Sequence, residues 1–157
     1  MHSMAAFDTG MWRRASIMLL LCGLAACTDY PRDAESTLDS IRATQAIRLG
    51  LAPTAIADRP ILDRFIAELN TSTGARMQVT SGSEEELLAR LEHGELDLVA
   101  GHFAEDSPWL ADAALIEPLT SRPVGERRIG LAVVARSGEN AWIGLLERTV
   151  RDVRGEK

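Results

Sequence analysis

Cysteine is scarce in this chain: Cys22 and Cys27 are the only two in 157 residues. Neither belongs to a cluster with zinc-ligand spacing, so a structural zinc site of the finger or ribbon type is excluded. Basic runs are also missing. Lys and Arg number 17 against 23 Asp and Glu, a net charge of −6. An acidic chain without a basic stripe does not suit nucleic acid, nor broad docking on anionic lipid. No apolar run approaches the ~20 residues that cross a bilayer. No glycine-rich phosphate loop follows a strand, and no nucleophile and base stand at a recognisable spacing. With no internal repeat or low-complexity segment either, the expectation is a non-enzymatic α/β chain without cofactor or metal.

The informative stretch is at the amino terminus. Arg13-Arg14 precedes the short apolar run Ile17–Ala26, and small residues Ala25-Ala26 stand before Cys27. A charged start, a short apolar core and small residues at a cut describe a secretory signal. Leu24-Ala25-Ala26-Cys27 resembles a bacterial lipobox, which implies that Cys27 is the lipidated first mature residue. Met11-Trp12-Arg13-Arg14 makes a more ordinary signal start than Met1–Gly10, which holds Asp8 and no basic residue. The expected organisation is a signal at 1–26, a tether at 27–36 and an α/β domain at 37–157. Removing 26 residues from 157 leaves 131, enough for one hydrophobic core. Asp8, Arg13 and Arg14 leave with the signal, so the charge moves from −6 to −7. Cys27 is then the only cysteine, and no disulfide forms within the mature chain. The expected location is the cell envelope, facing the periplasm and held to a membrane by acyl chains.

Along the remaining chain, Thr37 reads as an N-cap for a short helix carrying Leu38 and Ile41. Ile47–Leu51 alternates as a strand. Ala52–Pro60, with two prolines, reads as a loop. Ile61, Leu62, Phe65, Ile66 and Leu69 fall at helical spacing, with Gly74 as the stop. Met77–Val79 is a short strand. Ser83 followed by Glu86 is a capping box, Leu87, Leu88 and Leu91 form a buried stripe, and Gly94 ends that helix. Leu96–Ala100 is the next strand, His102–Arg128 is irregular, and Ile129–Ala135 is a strand covered on both faces. A final helix spans about Asn140–Val153, with Trp142 on its apolar stripe. The alternation of strands and helices predicts a mostly parallel sheet flanked by helices.

Three stretches carry a resemblance. Thr37–Arg42 with Ile47–Gly50, Leu87–Leu91 with Gly94–Gly101, and Glu117-Pro118-Leu119 together resemble the family 3 extracellular solute-binding proteins of amino-acid transporters over about residues 37–120. The resemblance implies a lobe that captures a small solute, with an inner-membrane transporter or another envelope protein as partner. That family has two lobes closing about a hinge. Here only 27 residues, His102 to Arg128, separate the third strand from the next strong one. A second lobe, on the order of 100 residues, does not fit there.

The family's amino-acid site does not transfer. Its carboxylate-binding arginine falls on Trp109 and the preceding threonine on Asp106. An indole cannot pair with a carboxylate as a guanidinium fork does. Open α/β sheets bind ligands at the carboxyl ends of their strands. The residues placed there are Thr54, Ser81, Ser83, His102, Glu105, Asp106 and Trp109. Trp109 suits either stacking against a cationic or apolar solute or covering an apolar edge. Ser83 suits either an anion site or ordinary capping. His93 and His102 lie near Glu92, Glu95 and Asp97 in sequence, yet their elements do not bring such ligands together. Two functions remain: solute binding, and a protein–protein accessory or regulatory module that has lost its ligand.

Overall fold

The computed structural model describes residues 35–104, 107, 110, 113–125 and 127–155. The signal, Cys27 and most of the tether lie outside the described residues. Within them the order is α1 (Thr37–Thr44), β1 (Ala46–Leu51), a 3-10 segment (Pro53–Asp58), α2 (Arg59–Thr73), β2 (Arg76–Ser81), α3 (Glu84–Glu92), β3 (Leu98–Ala104), β4 (Ala113–Leu115), β5 (Arg122–Val124), β6 (Arg127–Arg136) and α4 (Asn140–Arg154). The six strands form one sheet ordered β2-β1-β3-β6-β4, and β5 also pairs with β6. β1 runs parallel to β2 and to β3. β6 runs antiparallel to β3, β4 and β5. The α/β class and the flanking helices are as expected, but the sheet is mixed. Parallel pairing needs a crossover, and among the described residues no helix lies between β3 and β6.

Side-chain alternation builds a core on each face of the sheet. Ile47, Leu49, Leu98, Ala100, Leu131 and Val133 point to one face, where Ile41 of α1, Leu62, Phe65 and Leu69 of α2, and Trp142 and Leu146 of α4 cover them. Val99, Phe103, Ala132 and Val134 point to the other, under Leu87 and Leu91 of α3. β6 is thus covered on both faces, as its continuous apolar run predicts. Complete burial of one such side chain stabilises by about 1.5–3 kcal/mol. Among the described residues no helix is long and apolar enough to cross a membrane.

Four local expectations change. Thr37 is not the N-cap. Ser36 holds that position in a left-handed backbone, and the Thr37 N–H is accepted by Glu139 Oε2 at 2.8 Å, from the far end of the chain. Ala52–Pro60 is not a loop. Its prolines begin a 3-10 segment and then α2, because a proline in the first turn wastes no hydrogen bond. The third strand starts at Leu98, since Asp97 turns its carboxylate to Arg48 just before it. Finally, β4 and β5 lie within the stretch expected to be irregular. They follow β6 as an interrupted edge, which Pro123 blunts against further pairing. Ser83 caps α3 as predicted, its Oγ accepting from Glu86 N at 3.2 Å.

The end of the sheet opposite the strand carboxyl termini is welded by polar groups. Asp97, nearly fully buried, accepts from Arg48 N at 2.7 Å and from Arg48 Nη2 at 2.5 Å. The Trp142 indole donates to the Asp97 carbonyl at 2.9 Å. The Asp97 hydrogen bond raises the Arg48 pKa above its ordinary value, against a lowering by burial. Glu139 accepts from Glu35 N as well as Thr37 N, capping α1 from the start of α4.

Candidate functional site

The carboxyl ends of β1, β2 and β3 meet on one rim. Ser81 ends β2 beside Leu51 of β1, and the 3-10 segment leaves β1 immediately after Ala52. His102 sits on β3 past the last paired residue of β1. A line of hydrogen bonds joins these parts. Thr54 Oγ1 donates to Glu84 Oε1 at 2.8 Å and accepts from His102 N at 3.2 Å. His102 Nε2 donates to Asp58 Oδ2 at 2.6 Å. Thr120 Oγ1 reaches the same carboxylate oxygen at 3.4 Å and accepts from Leu131 N at 3.1 Å.

His102 is the hinge of this line, with 8% of its side chain exposed and its ring fixed by Asp58. Asp58 occupies the N-cap position of α2 but makes no capping bond there. Its carboxylate serves His102 instead. Glu84 stands in the first turn of α3 with Glu85 and Glu86, where three carboxylates occupy the positive end of the helix dipole. An anion would meet those charges first. With Glu84 and Asp58 along the line, the electrostatics favour a cation.

Four of the sequence-assigned residues can be placed. Thr54 and His102 meet directly. Ser81 lies on the same rim, and Ser83 is spent on its cap. Glu105, Asp106 and Trp109 lie outside the described residues. Sequence reasoning missed Asp58, Glu84 and Thr120. For Asp58 a signal existed: an acidic residue before a proline-started helix is a standard cap, and only the fold shows it diverted. Elsewhere, His93 Nδ1 lies 2.7 Å from the Ala89 carbonyl, and Glu95 pairs with Arg90. Among the described residues no three metal-ligating side chains converge.

No protein-family model matches the sequence, and no curated protein matches it. Solved structures do. An arginine-bound form of domain 1 from TmArgBP superposes with a TM-score of 0.61 at 13% identity, over 73% of this chain and 98% of that one. An ancestral cationic amino acid solute binding protein, AncCDT-1, gives 0.62 at 10% identity over 77% and 95%. The VFT2 domain of Bordetella pertussis BvgS gives 0.58 at 8% identity over 80% and 99%. The fold is a periplasmic-binding-protein-like lobe. At these identities the likeness establishes the architecture alone. AncCDT-1 is also described as a precursor of cyclohexadienyl dehydratase, so the lobe is shared by binding proteins and an enzyme lineage.

Proposed function

We propose that this chain is a lipid-anchored, periplasm-facing solute-binding protein that works beside a membrane transporter and catalyses no reaction. The observation that carries the reading is the meeting of Thr54, His102 and Glu84, from three separate segments, at the carboxyl ends of the parallel strands. That is where open α/β sheets take ligands. The solute class is cationic, an amine or guanidinium, because carboxylates flank the rim and the family's carboxylate-binding arginine has no counterpart in the sequence. The described residues form one lobe, and capture by one lobe alone is weak.

A thermal-shift panel on the mature domain tests this. An amine or guanidinium at 100 times its dissociation constant stabilises by about 2.7 kcal/mol, on the order of 10 °C for a domain of this size. His102→Ala abolishes that gain. Silence across amines, amino acids and sugars contradicts the reading and favours the accessory module. One observation favours that alternative: Thr54, Ser83 and His102 already have protein partners. For the anchor, Cys27→Ser removes palmitate label from the chain in growing cells. Label that persists contradicts lipidation at Cys27.

A further inference from the structure

The hydrogen-bonded line across the rim does not end at Thr120. The next residue, Ser121, accepts from Arg128 Nε at 3.1 Å. One polar path therefore runs from the start of α3 to the β5–β6 hairpin. Its two ends carry opposite charge. Glu84, Glu85 and Glu86 open α3, while Arg122 and Arg128 stand on β5 and β6. β2 and β5 lie on opposite sides of the sheet, separated by four strand spacings. The acidic end lies nearer than β2, because Glu84 bonds Thr54 beside His102 of β3, and β3 stands two strand spacings, about 10 Å, from β5. Large apolar side chains lie exposed along the same rim: Ile56 in the 3-10 segment at 61% and Val124 in β5 at 50%. They are two of three such residues among those described.

A rim acidic at one end and basic at the other, with Ile56 and Val124 exposed on it, is complementary to itself under a two-fold rotation. In such an isologous contact, residue i of one copy meets residue j of the other, and j meets i. We infer that the rim is a docking surface for a second copy of this chain, with the α3 start of each copy against the β5–β6 hairpin of the other. Ile56 and Val124 are buried in the pair. The axis passes near His102 and Asp58 at the middle of the line, so each copy supplies a wall over the other's rim. Closure over a solute rests on the solute-binding reading, whereas pairing of the copies does not.

Glu85 and Arg122 are both exposed, and neither has an ion-pair partner among the described residues. They are the substitutions of choice. Two differently tagged copies of the full chain are co-expressed, extracted in mild detergent and recovered through one tag. Wild-type copies recover each other. Glu85→Arg in both copies, or Arg122→Glu in both, sets like charges together at two places and lowers recovery at least about tenfold, the factor given by 1.4 kcal/mol. Pairing Glu85→Arg with Arg122→Glu restores opposite charges at both places and restores recovery, which also shows that each variant folds. Salt of about 1 M, with a screening length near 3 Å, weakens the wild-type pair. Recovery that ignores both reversals overturns the inference. So does absence of a second copy, or recovery of a different envelope protein in its place. A chain that never pairs yet gains thermal stability from an amine loses this inference and keeps the solute-binding one.

Discussion

Asp97 shows most plainly what single side chains do here. Its carboxylate is buried and saturated by Arg48, while the guanidinium stays 41% exposed. Removing one partner of a buried pair leaves an uncompensated group and costs about 3–5 kcal/mol. Because Arg48 is partly solvated, Asp97→Ala falls at the low end, about 3 kcal/mol, read as a lower urea midpoint. The Arg48 pKa is raised in the fold. Its contribution is therefore fully present below the unfolded arginine's value and lost only as pH climbs through the still higher folded value. Any loss linked to Arg48 belongs to strongly alkaline pH, and a urea midpoint that falls at neutral pH through this group contradicts that. None of this was legible from spacing alone. Asp97 reads as a surface acid within a strand, and only the third strand's late start turns it inward.

Elements were far more legible, because each rests on a local signal. Gly74 ends α2 in a left-handed conformation and Gly94 follows α3 with a positive φ, as their positions announce. The apolar stripes of α2 and α4 face the core as their helical spacing requires. What failed were features settled by distant partners. Glu139, about 100 residues away, caps α1 in place of Thr37. β4 and β5 are too short to show a period, and they exist only because β6 offers an edge. Gly130 is the contact point of that edge, since a Cβ there would lie 1.8 Å from the Thr120 carbonyl oxygen. No rotamer relieves a clash with backbone. Gly130→Ala therefore strips the 116–124 segment from β6 at a cost above roughly 3 kcal/mol. Hydrogen exchange checks it: the Leu119 and Leu131 amides, which bond across this edge, lose protection first. Unchanged protection there contradicts the packing.

For the whole molecule, charge and the lobe's architecture combine into one functional reading. Glu84, Glu85 and Asp58 bring part of the chain's acidic balance to the rim. The resemblance read from three short stretches corresponds to a fold shared with solute-binding lobes at 13% identity or less. Half of the candidate site was legible: Thr54 and His102 were named from strand ends, whereas Asp58 and Glu84 reached the site through tertiary contacts that no window of sequence contains. The central claim is that a small cation is held at the strand carboxyl ends by this single lobe. Amide chemical shifts of the isotope-labelled mature domain, titrated with L-arginine, ornithine and choline, test it most directly. The account predicts that at least one of these cations moves the amides of Thr54, Ser81, Ser83 and His102 together and saturably. Shifts absent with all three, or confined to the groove lined by Arg64, Glu68 and Asp152 between α2 and α4, would contradict it.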